Sequence, residues 1–347
     1  MLHNCGDMLD RYFAVLEKKK FAVHWVTRSV GCGIDDLALA SEEELKEANA
    51  DGNAEVRVLK EEEADEQLEP LEGSLLDMKL ELSRRMLTHC AFCERRCGVD
   101  RTTESRGFCG VGAQSRYSSD FLHMGEEAEL VPSHTIFFSG CTFRCAYCQN
   151  WDIAMHPESG RWAEPAMLSG VLLEGLSQGS RNANFVGGNP DPNLHTILET
   201  IKLVGHGGRF LPMVWNSNMY TSSESMEILE GVIDVFLGDF RYGNDGCAKE
   251  LSDVDDYFEV VSRNFKTAYG SAEVMLRHLV LPGHLECCTR PIMKWVRDNI
   301  PGVYFNLMFQ YRPEYRANLF PEMNRRLSVD ERQKAIQMAA EYGMAIS

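Results

Sequence analysis

The 347-residue sequence contains no apolar run long enough to span a membrane. Residues 1–13 include acidic side chains and no long apolar segment, so we expect no secretory signal. Positive charge is also in deficit, because 35 Lys and Arg residues stand against 52 Asp and Glu residues, for a formal net charge of −17. A chain this acidic is a poor non-specific binder of nucleic acid. We therefore expect a cytoplasmic protein that binds neither membranes nor nucleic acids.

Twelve cysteines stand out against these absences. Without a secretory signal, clustered cysteines indicate metal sites in a reducing compartment rather than disulfides. Cys141, Cys145 and Cys148 are spaced C-x3-C-x2-C directly after the apolar run 136–138, which is typical of a buried strand. Three thiolates on so short a loop predict a shared metal. Tyr147 is placed to shield that metal or to contact a ligand on it.

The identity of this first metal depends on how many ligands it needs. Structural zinc takes four ligands, and a fourth is not obvious here. A cubane iron–sulfur cluster held by three cysteines leaves one iron free to bind a substrate or cofactor. A zinc knuckle and a plain ferredoxin-type cluster remain alternatives.

A second set of cysteines, spaced C-x2-C-x3-C-x11-C, comprises Cys90, Cys93, Cys97 and Cys109. Four thiolates make a closed site, which suits structural zinc or a fully ligated iron–sulfur cluster. The spacing does not decide between these metals. A closed cluster could pass electrons to the first site, whereas zinc would stabilise the fold of the segment.

The remaining cysteines show no such spacing. Cys5 and Cys32 are expected to be ordinary thiols. Cys247, Cys287 and Cys288 follow predicted strands, and we interpret them as structural or incidental thiols. A third metal site or a thiol that handles a radical is the alternative.

Strand-like and helix-like segments alternate through the rest of the chain, which predicts an α/β protein with a parallel sheet and helices outside it. The predicted strands cover 136–139, 183–187, 211–215, 232–240, 274–281 and 303–309. The predicted helices cover 165–178, 191–206, 222–231, 252–268 and 287–299. Six such units fit an open partial barrel, in which functional residues lie at the strand ends.

We expect four regions along the chain. They are a helical cap at 1–40, an acidic linker or helices at 41–88, the four-cysteine metal-binding segment at 89–125, and the barrel at 126–347. Thirteen acidic and three basic residues between 41 and 72 favour a solvated helix or a mobile linker there.

The motif CTFRCAYC at 141–148 resembles the radical S-adenosylmethionine (SAM) motif, in which the amino and carboxylate groups of SAM chelate the open iron. The following QNWD at 149–152 is similar to the branch that includes the pyruvate formate-lyase activating enzyme and its uncharacterised relatives. The resemblance runs from about residue 89 to the end and implies a TIM-like partial (β/α)6 barrel. Its implied cofactors are a [4Fe-4S] cluster and SAM.

The resemblance also implies SAM contacts at two strand ends. Gly187, Gly188 and Asn189 correspond to a Gly-Gly-Glu motif whose backbone meets the methionine part of SAM. Because Asn189 replaces the glutamate, only the backbone role can carry over. Asn216 and Ser217 correspond to an Asp-Thr pair near the SAM carboxylate and a bound cation. The loss of the negative charge weakens the expectation of a cation site.

Two charged strand-end residues, Asp239 and Arg277, correspond to family contacts with the SAM ribose and carboxylate. A buried ion pair is the alternative for each of them. The chain departs from the activating enzymes at 129–134, where they carry a Gly-Pro-Gly-Ile-Arg-like segment. Together with the upstream four-cysteine site, this departure resembles an uncharacterised subgroup of the branch.

The resemblance implies an anaerobic oxidoreductase that cleaves SAM reductively to a 5′-deoxyadenosyl radical, which then abstracts hydrogen from a substrate. The expected substrate is a protein or peptide, such as a glycyl radical enzyme; a small molecule is the alternative. A non-catalytic zinc or electron-carrying iron–sulfur protein is the rival from another class. The expected partner is a one-electron donor of the ferredoxin or flavodoxin type, and no residue is assigned as a catalytic acid or base.

Overall fold

A single sheet organises the structure, a computed structural model that describes residues 8–65 and 68–344. Cys5 lies outside the described residues. The strands in the described residues are β1 (Arg116–His123), β2 (Ser133–Phe138), β3 (Arg161–Trp162), β4 (Asn182–Gly187), β5 (Met213–Ser217), β6 (Val235–Asp239), β7 (Glu273–Leu279) and β8 (Tyr304–Met308). Their order is β3-β1-β2-β4-β5-β6-β7-β8, and the six strands from β2 to β8 in this order are parallel. The predicted α/β class, with an open parallel sheet, is confirmed.

Two strands extend the sheet beyond the six that the sequence predicted. β1 pairs antiparallel with β2 on one side and with the short β3 on the other. β1 is polar and mostly half-buried, so it lacks the apolar run that marks the central strands. These additions leave β3 and β8 as the two edges of an open sheet.

Helices alternate with the parallel strands and continue at both ends of the described chain. They are α1 (Asp10–Leu16), α2 (Val23–Ser29), α3 (Glu42–Leu59), α4 (Leu75–Arg85), α5 (Trp151–Met155), α6 (Pro165–Ser177), α7 (Leu194–Val204), α8 (Ser223–Leu229), α9 (Asp245–Ser252), α10 (Tyr257–Ser271), α11 (Arg290–Asn299) and α12 (Val329–Glu341). None of the helices in the described part is long and apolar enough to cross a membrane.

The helix predicted at 252–268 is in fact preceded by a separate helix, α9. Asp253 and Asp256 adopt left-handed backbone conformations, with φ of 52° and 48°, which end α9 and delay the start of α10 to Tyr257. Aspartate tolerates this conformation better than most residues. The helical pattern alone therefore did not reveal the break.

The acidic helix α3 buries a mixed face that contains Leu45 and Val56 as well as Asn49 and Asn53. A Ser41–Glu44 capping box starts the helix. Lys79 of α4 is fully buried and donates hydrogen bonds of 2.7 Å to the side-chain oxygens of Asn49 and Asn53. Burial lowers the pKa of Lys79 to about 7. Two amide oxygens thus hold α3 against α4 while the acidic residues stay exposed.

The N-terminal helix closes the lower end of the barrel. Leu9 and Tyr12 cluster with inward-facing side chains of the strands and with Leu130, and the strand members are Val214, Val235, Leu237, Met275 and Tyr304. Alternate residues of a strand face the same side. The inward positions two residues further along β5, β7 and β8 are Asn216, Arg277 and Asn306, which are polar. The barrel interior is therefore apolar below and polar toward the carboxyl ends of the strands.

A buried ion pair fixes α1 to the barrel. The Arg11 guanidinium lies 2.7 Å from Asp234, which is fully buried and also accepts the backbone N–H groups of Val23 at 3.0 Å and Met213 at 2.9 Å. The side chain of Glu273 accepts the backbone N–H groups of Arg11 and Tyr12, each at 2.8 Å. The N-terminal segment is thus tied to β5, β6 and β7.

We predict that Asp234→Ala lowers the free energy of unfolding by about 3–5 kcal/mol, since it leaves Arg11 without a carboxylate and two buried N–H groups without an acceptor. Urea unfolding of anaerobically purified protein measures the change. The control is Glu61→Ala, which removes an exposed pair with Lys20 and is expected to cost under about 1 kcal/mol. Equal losses in the two variants would contradict the proposed importance of the buried pair.

Candidate active site

A glycine turns the chain from β2 into the loop that carries the first three cysteines. Gly140 has a φ of 86°, and a Cβ there would collide with the backbone carbonyl of Cys109. The loop that follows holds Cys141 and Cys145 buried and Cys148 partly exposed. The carboxyl end of β2 therefore presents three thiols at the mouth of the barrel.

The buried loop opposes ionisation of two of these thiols. Burial, followed by the charge of the neighbouring thiols, raises the pKa of Cys141 to about 12 and that of Cys148 to about 12. Two donors already point at Cys145 Sγ, namely Arg241 Nη1 at 3.0 Å and Ser252 Oγ at 3.1 Å. Such thiols ionise readily only when a metal binds them.

The spacing of these sulfurs fits a cluster better than a single ion. The charges of the Cys145 and Cys148 thiols raise the pKa of Cys141. The three sulfur atoms do not, however, all lie within 4.8 Å of one another in the described residues. In a cubane each cysteine sulfur binds a different iron, so the sulfurs stand further apart than around one zinc ion.

Tyr147 is buried beside the same loop. Its hydroxyl oxygen lies 2.9 Å from that of Tyr242, and its ring packs edge-on against Tyr311 at 5.8 Å. Tyr242 in turn lies 2.5 Å from Ser252 Oγ, which contacts Cys145. The two tyrosines are thus connected through Ser252 to Cys145.

The two glycines at the end of β4 are required by backbone packing. A Cβ on Gly187 would collide with the backbone of Phe138, and one on Gly188 with the carbonyl of Gly140. The Gly188 N–H donates to the Phe138 carbonyl at 2.8 Å. That N–H group is therefore already satisfied, and the glycines bring β4 directly against the three-cysteine loop.

Asn189 belongs to a buried polar network. Its amide donates to Asp191, and its carbonyl oxygen accepts the backbone N–H of Asn218 at 3.3 Å. The Asn218 side chain donates at 2.9 Å to Thr142, which lies on the three-cysteine loop, and Thr221 donates to Asp191. Burial raises the pKa of Asp191 to about 6. This network ties the ends of β4 and β5 to the loop.

A charged network occupies the polar upper layer of the barrel. Arg277 contacts Asp239 at 2.8 Å, Asn216 at 2.6 Å and Glu126 at 3.3 Å, and Asp239 also pairs with Arg241 at 2.7 Å. Burial opposes ionisation of Asp239, but Arg277 and then Arg241 outweigh it and lower the pKa of the carboxyl. The structure thus contains the buried ion pair that the sequence left open for Asp239 and Arg277.

Ser217 serves a local turn, since its hydroxyl accepts the Met219 N–H at 3.0 Å. Two acidic side chains at this layer escaped the sequence analysis. Glu126 contacts Arg277, while Glu127 accepts a hydrogen bond from Asn306 at 3.0 Å and has a second carboxylate oxygen that is buried without a partner among the described residues. Both precede β2 in a segment without a recognisable motif, so only the fold reveals them.

The four-cysteine segment packs on the three-cysteine loop. Cys90, Cys93 and Cys109 are buried and Cys97 is partly exposed. Burial, followed by the neighbouring Cys109 thiol, raises the pKa of Cys93. No three of the four sulfurs lie within 4.8 Å of one another in the described chain.

An aromatic ring joins the two cysteine segments. The Phe108 ring lies between two guanidinium groups, 3.7 Å from Arg95 and 4.2 Å from Arg144. Arg95 also donates to the Thr142 carbonyl at 3.0 Å. The two predicted metal segments are therefore in direct contact.

A third cysteine group lies beyond the ends of β6 and β7, in the first turn of α9 and in the segment 284–288. One potential ligand atom from each of Cys247, His284, Cys287 and Cys288 lies within 4.8 Å of the others, a spacing found nowhere else in the described residues. The sequence indicated the three cysteines but not His284, because His284 is 37 residues from Cys247.

Comparison with known proteins gives a family match and a close relative. A profile of the Radical SAM superfamily matches residues 135–296. The uncharacterized protein MJ0674 of Methanocaldococcus jannaschii is 44% identical over 283 residues, which cover 80% of this chain and 82% of that protein.

Solved structures match at much lower identity. A domain of the pyruvate-formate lyase-activating enzyme of Bacteroides vulgatus is 15% identical with a TM-score of 0.38, over 48% of this chain and 97% of that chain. Streptococcus suis SuiB, bound to the precursor peptide SuiA, is 13% identical with a TM-score of 0.43, over 58% of this chain and 43% of that chain.

Proposed function

Because the chain belongs to the radical SAM superfamily of enzymes, we propose that Cys141, Cys145 and Cys148 hold a [4Fe-4S] cluster whose remaining iron binds SAM. The observation that carries this proposal is the loop of three close thiols at the carboxyl end of β2, where Arg241 already donates to Cys145. When bound, the cluster supplies the electron that cleaves SAM to methionine and the 5′-deoxyadenosyl radical, which abstracts hydrogen from the substrate.

The protein's own residues hold and shield this centre. The Arg241 guanidinium and the Ser252 hydroxyl donate to Cys145 Sγ, so they stabilise its thiolate. Tyr147 and Tyr242 are buried beside the loop and exclude water from it. No residue is required to act as an acid or base in hydrogen abstraction.

We assign the SAM contacts to the strand ends. Arg277 would bind the SAM carboxylate and Asp239 the ribose hydroxyls, with Asn216 and Ser217 nearby. Arg277 is suited to this because Asp239 and Asn216 hold its guanidinium in one orientation. The backbone at the end of β4, at Gly187, Gly188 and Asn189, would face the methionine part. It would do so through its carbonyl groups, since the Gly188 N–H already donates to the Phe138 carbonyl.

We further propose that Cys90, Cys93, Cys97 and Cys109 hold a second iron–sulfur cluster rather than zinc. No three of the four sulfurs lie within 4.8 Å of one another in the described residues, a more open arrangement than the ligands of one tetrahedral ion have. The contact between this segment and the three-cysteine loop through Phe108 supports electron transfer between the two centres. A ferredoxin- or flavodoxin-type donor would supply the electrons in an anaerobic cytoplasm.

The proposed substrate is a protein or peptide, as in the activating enzymes whose motif the loop resembles. An aromatic pair beside the three-cysteine loop, one member of which is exposed, supports this choice. Trp151, three residues beyond Cys148, is 39% exposed, and its ring stacks on that of Tyr315 at 5.5 Å with an angle of 13° between the ring planes. Large exposed aromatic side chains beside a reactive centre are suited to hold a polypeptide.

We predict that replacing Cys141, Cys145 and Cys148 together by Ala removes about half of the iron and sulfide of anaerobically reconstituted protein, because the four-cysteine site keeps its own cluster. The same variant should no longer form 5′-deoxyadenosine from SAM with dithionite. Iron and sulfide assays and chromatography of the products measure both effects.

Cys97→Ala should remove the other half of the iron while the remaining cluster still responds to SAM in its electron spin resonance signal. A colourless wild-type protein that contains only zinc would contradict the proposal.

We predict that Arg277→Lys weakens SAM binding and that Arg277→Ala weakens it further, since lysine keeps the charge but not the planar two-pronged donor geometry. Asp239→Asn should also weaken binding. Equilibrium binding of SAM, normalised to the iron content of each variant, measures the effect. Arg290→Ala, which removes a surface pair with Glu286, is the matched control and should bind SAM normally. Unchanged SAM affinity in the Arg277 and Asp239 variants would leave only a structural role for both residues.

We predict that deuterium moves into 5′-deoxyadenosine from a glycyl radical enzyme peptide labelled at its glycine Cα, because the radical takes hydrogen from the substrate carbon. Mass spectrometry of the 5′-deoxyadenosine detects the transfer. A peptide with alanine at the labelled glycine is the control. Transfer from labelled small molecules of the cell extract, with none from the peptide, would overturn the proposed substrate class.

A further inference from the structure

The third cysteine group has the dimensions of a site for one metal ion. Cys247 Sγ lies 3.8 Å from Cys287 Sγ, and His284 Nδ1 lies 3.6 Å from the first sulfur and 3.4 Å from the second. Cys288 completes the group within 4.8 Å of the other ligand atoms. Three sulfurs and one imidazole nitrogen form a common zinc ligand set.

Elementary geometry decides which metal fits. Tetrahedral zinc has Zn–S bonds of about 2.3 Å and Zn–N bonds of about 2.0–2.1 Å, so its ligands stand about 3.8 Å apart for two sulfurs and about 3.5 Å apart for sulfur and nitrogen. The observed separations match both values. We propose that Cys247, His284, Cys287 and Cys288 bind one zinc ion, at a site separate from the two cysteine sets at the three-cysteine loop and the four-cysteine segment.

The surrounding backbone is shaped for this arrangement. Asn244 caps α9 by accepting the Cys247 N–H at 2.9 Å, and its amide donates to Cys247 Sγ at 3.3 Å and to the Cys287 carbonyl at 2.8 Å. A Cβ on Gly243 would lie 2.7 Å from the carbonyls of Cys287 and Cys288. The two loops therefore approach each other as closely as a shared ion requires.

The local helix geometry and His284 give two further indications. Cys287 and Cys288 lie in a single π-helical turn, Leu285–Thr289, a conformation that is frequent at functional sites. His284 directs Nδ1 at the two sulfurs, while its Nε2 is buried without a partner in the described chain. An imidazole that binds metal through Nδ1 carries its proton on Nε2.

A disulfide does not explain the group. Cys247 and Cys287 are separated by 3.8 Å, against about 2.05 Å in a bonded pair. A disulfide would also leave Cys288 and His284 without a reason to converge. One ion accounts for all four side chains.

The ion would hold two segments of the chain in position and would not itself react with the substrate. It would join the loop after β6 to the turn after β7, and the first of these loops also carries Arg241 and Tyr242. Arg241 donates to Cys145 and Tyr242 contacts Tyr147. Asn244 is only three residues beyond Arg241, so the zinc site would hold the Arg241 loop in place against the three-cysteine loop.

The test is the metal content of the full-length protein, purified anaerobically. The double variant Cys247→Ser/Cys287→Ser should contain one zinc ion fewer per chain than the wild type, with its iron unchanged, by inductively coupled plasma mass spectrometry. Cys32→Ser, at a buried free cysteine outside the group, is the matched control and should keep all its zinc. Zinc unchanged in the double variant, or a loss of iron in place of zinc, would overturn the proposal.

A second measurement needs no variant and so does not depend on folding of the mutant chain. Cys247 and Cys287 are partly exposed, so free thiols there should react with iodoacetamide. We expect slow alkylation of both in the wild-type protein as purified, fast alkylation after treatment with a zinc chelator, and restored protection when zinc alone is added back. Equal rates in all three samples, or recovery of a Cys247–Cys287 disulfide from protein kept anaerobic, would overturn the zinc site whether or not the protein cleaves SAM.

Discussion

The close approach of the backbone at the carboxyl ends of β2 and β4 is the constraint on which the site depends. Gly187 and Gly188 lie where any side chain would strike Phe138 or Gly140, and Gly140 itself lies against the Cys109 carbonyl. These contacts bring the sheet, the three-cysteine loop and the four-cysteine segment together at one point. A larger residue there would move the loop away from the barrel mouth, so the positions of the thiols follow from the packing of glycines.

The barrel interior is filled by apolar side chains at its lower end and carries charged side chains at its upper end. Leu9 and Tyr12 fill the lower end with apolar contacts, which leaves the upper layer as the place where inward-facing polar residues can be used. The charged Arg277 is partly buried there, and Asp239 lies 2.8 Å away to balance its charge. A buried arginine without that carboxylate would cost several kcal/mol. The ion pair therefore does not exclude ligand binding by Arg277. The Asp239 carboxylate is what allows a charged guanidinium to lie in the upper layer of the barrel.

The sequence predicted the features that depend on residues close together along the chain. It did not predict the contacts between residues that are far apart along the chain. Apolar runs located all six parallel strands, and the cysteine spacing located the loop after β2. The polar strand β1 has no such run, and the left-handed Asp253 and Asp256 interrupt a pattern that predicts a single helix. His284 and Glu126 could not be linked to Cys247 and Arg277 because the fold alone brings them together.

The distances between sulfur atoms distinguish the three cysteine groups more clearly than their sequence patterns do. The group around Cys247 has a pair of sulfurs 3.8 Å apart, as around a single ion, whereas the other two groups are more open among the described residues. A cubane needs that wider arrangement, since each sulfur binds its own iron. Cys247 of the compact group is six residues beyond Arg241, whose guanidinium donates to Cys145. The proposed zinc ion would therefore fix the loop that contacts the proposed cluster without competing for its ligands.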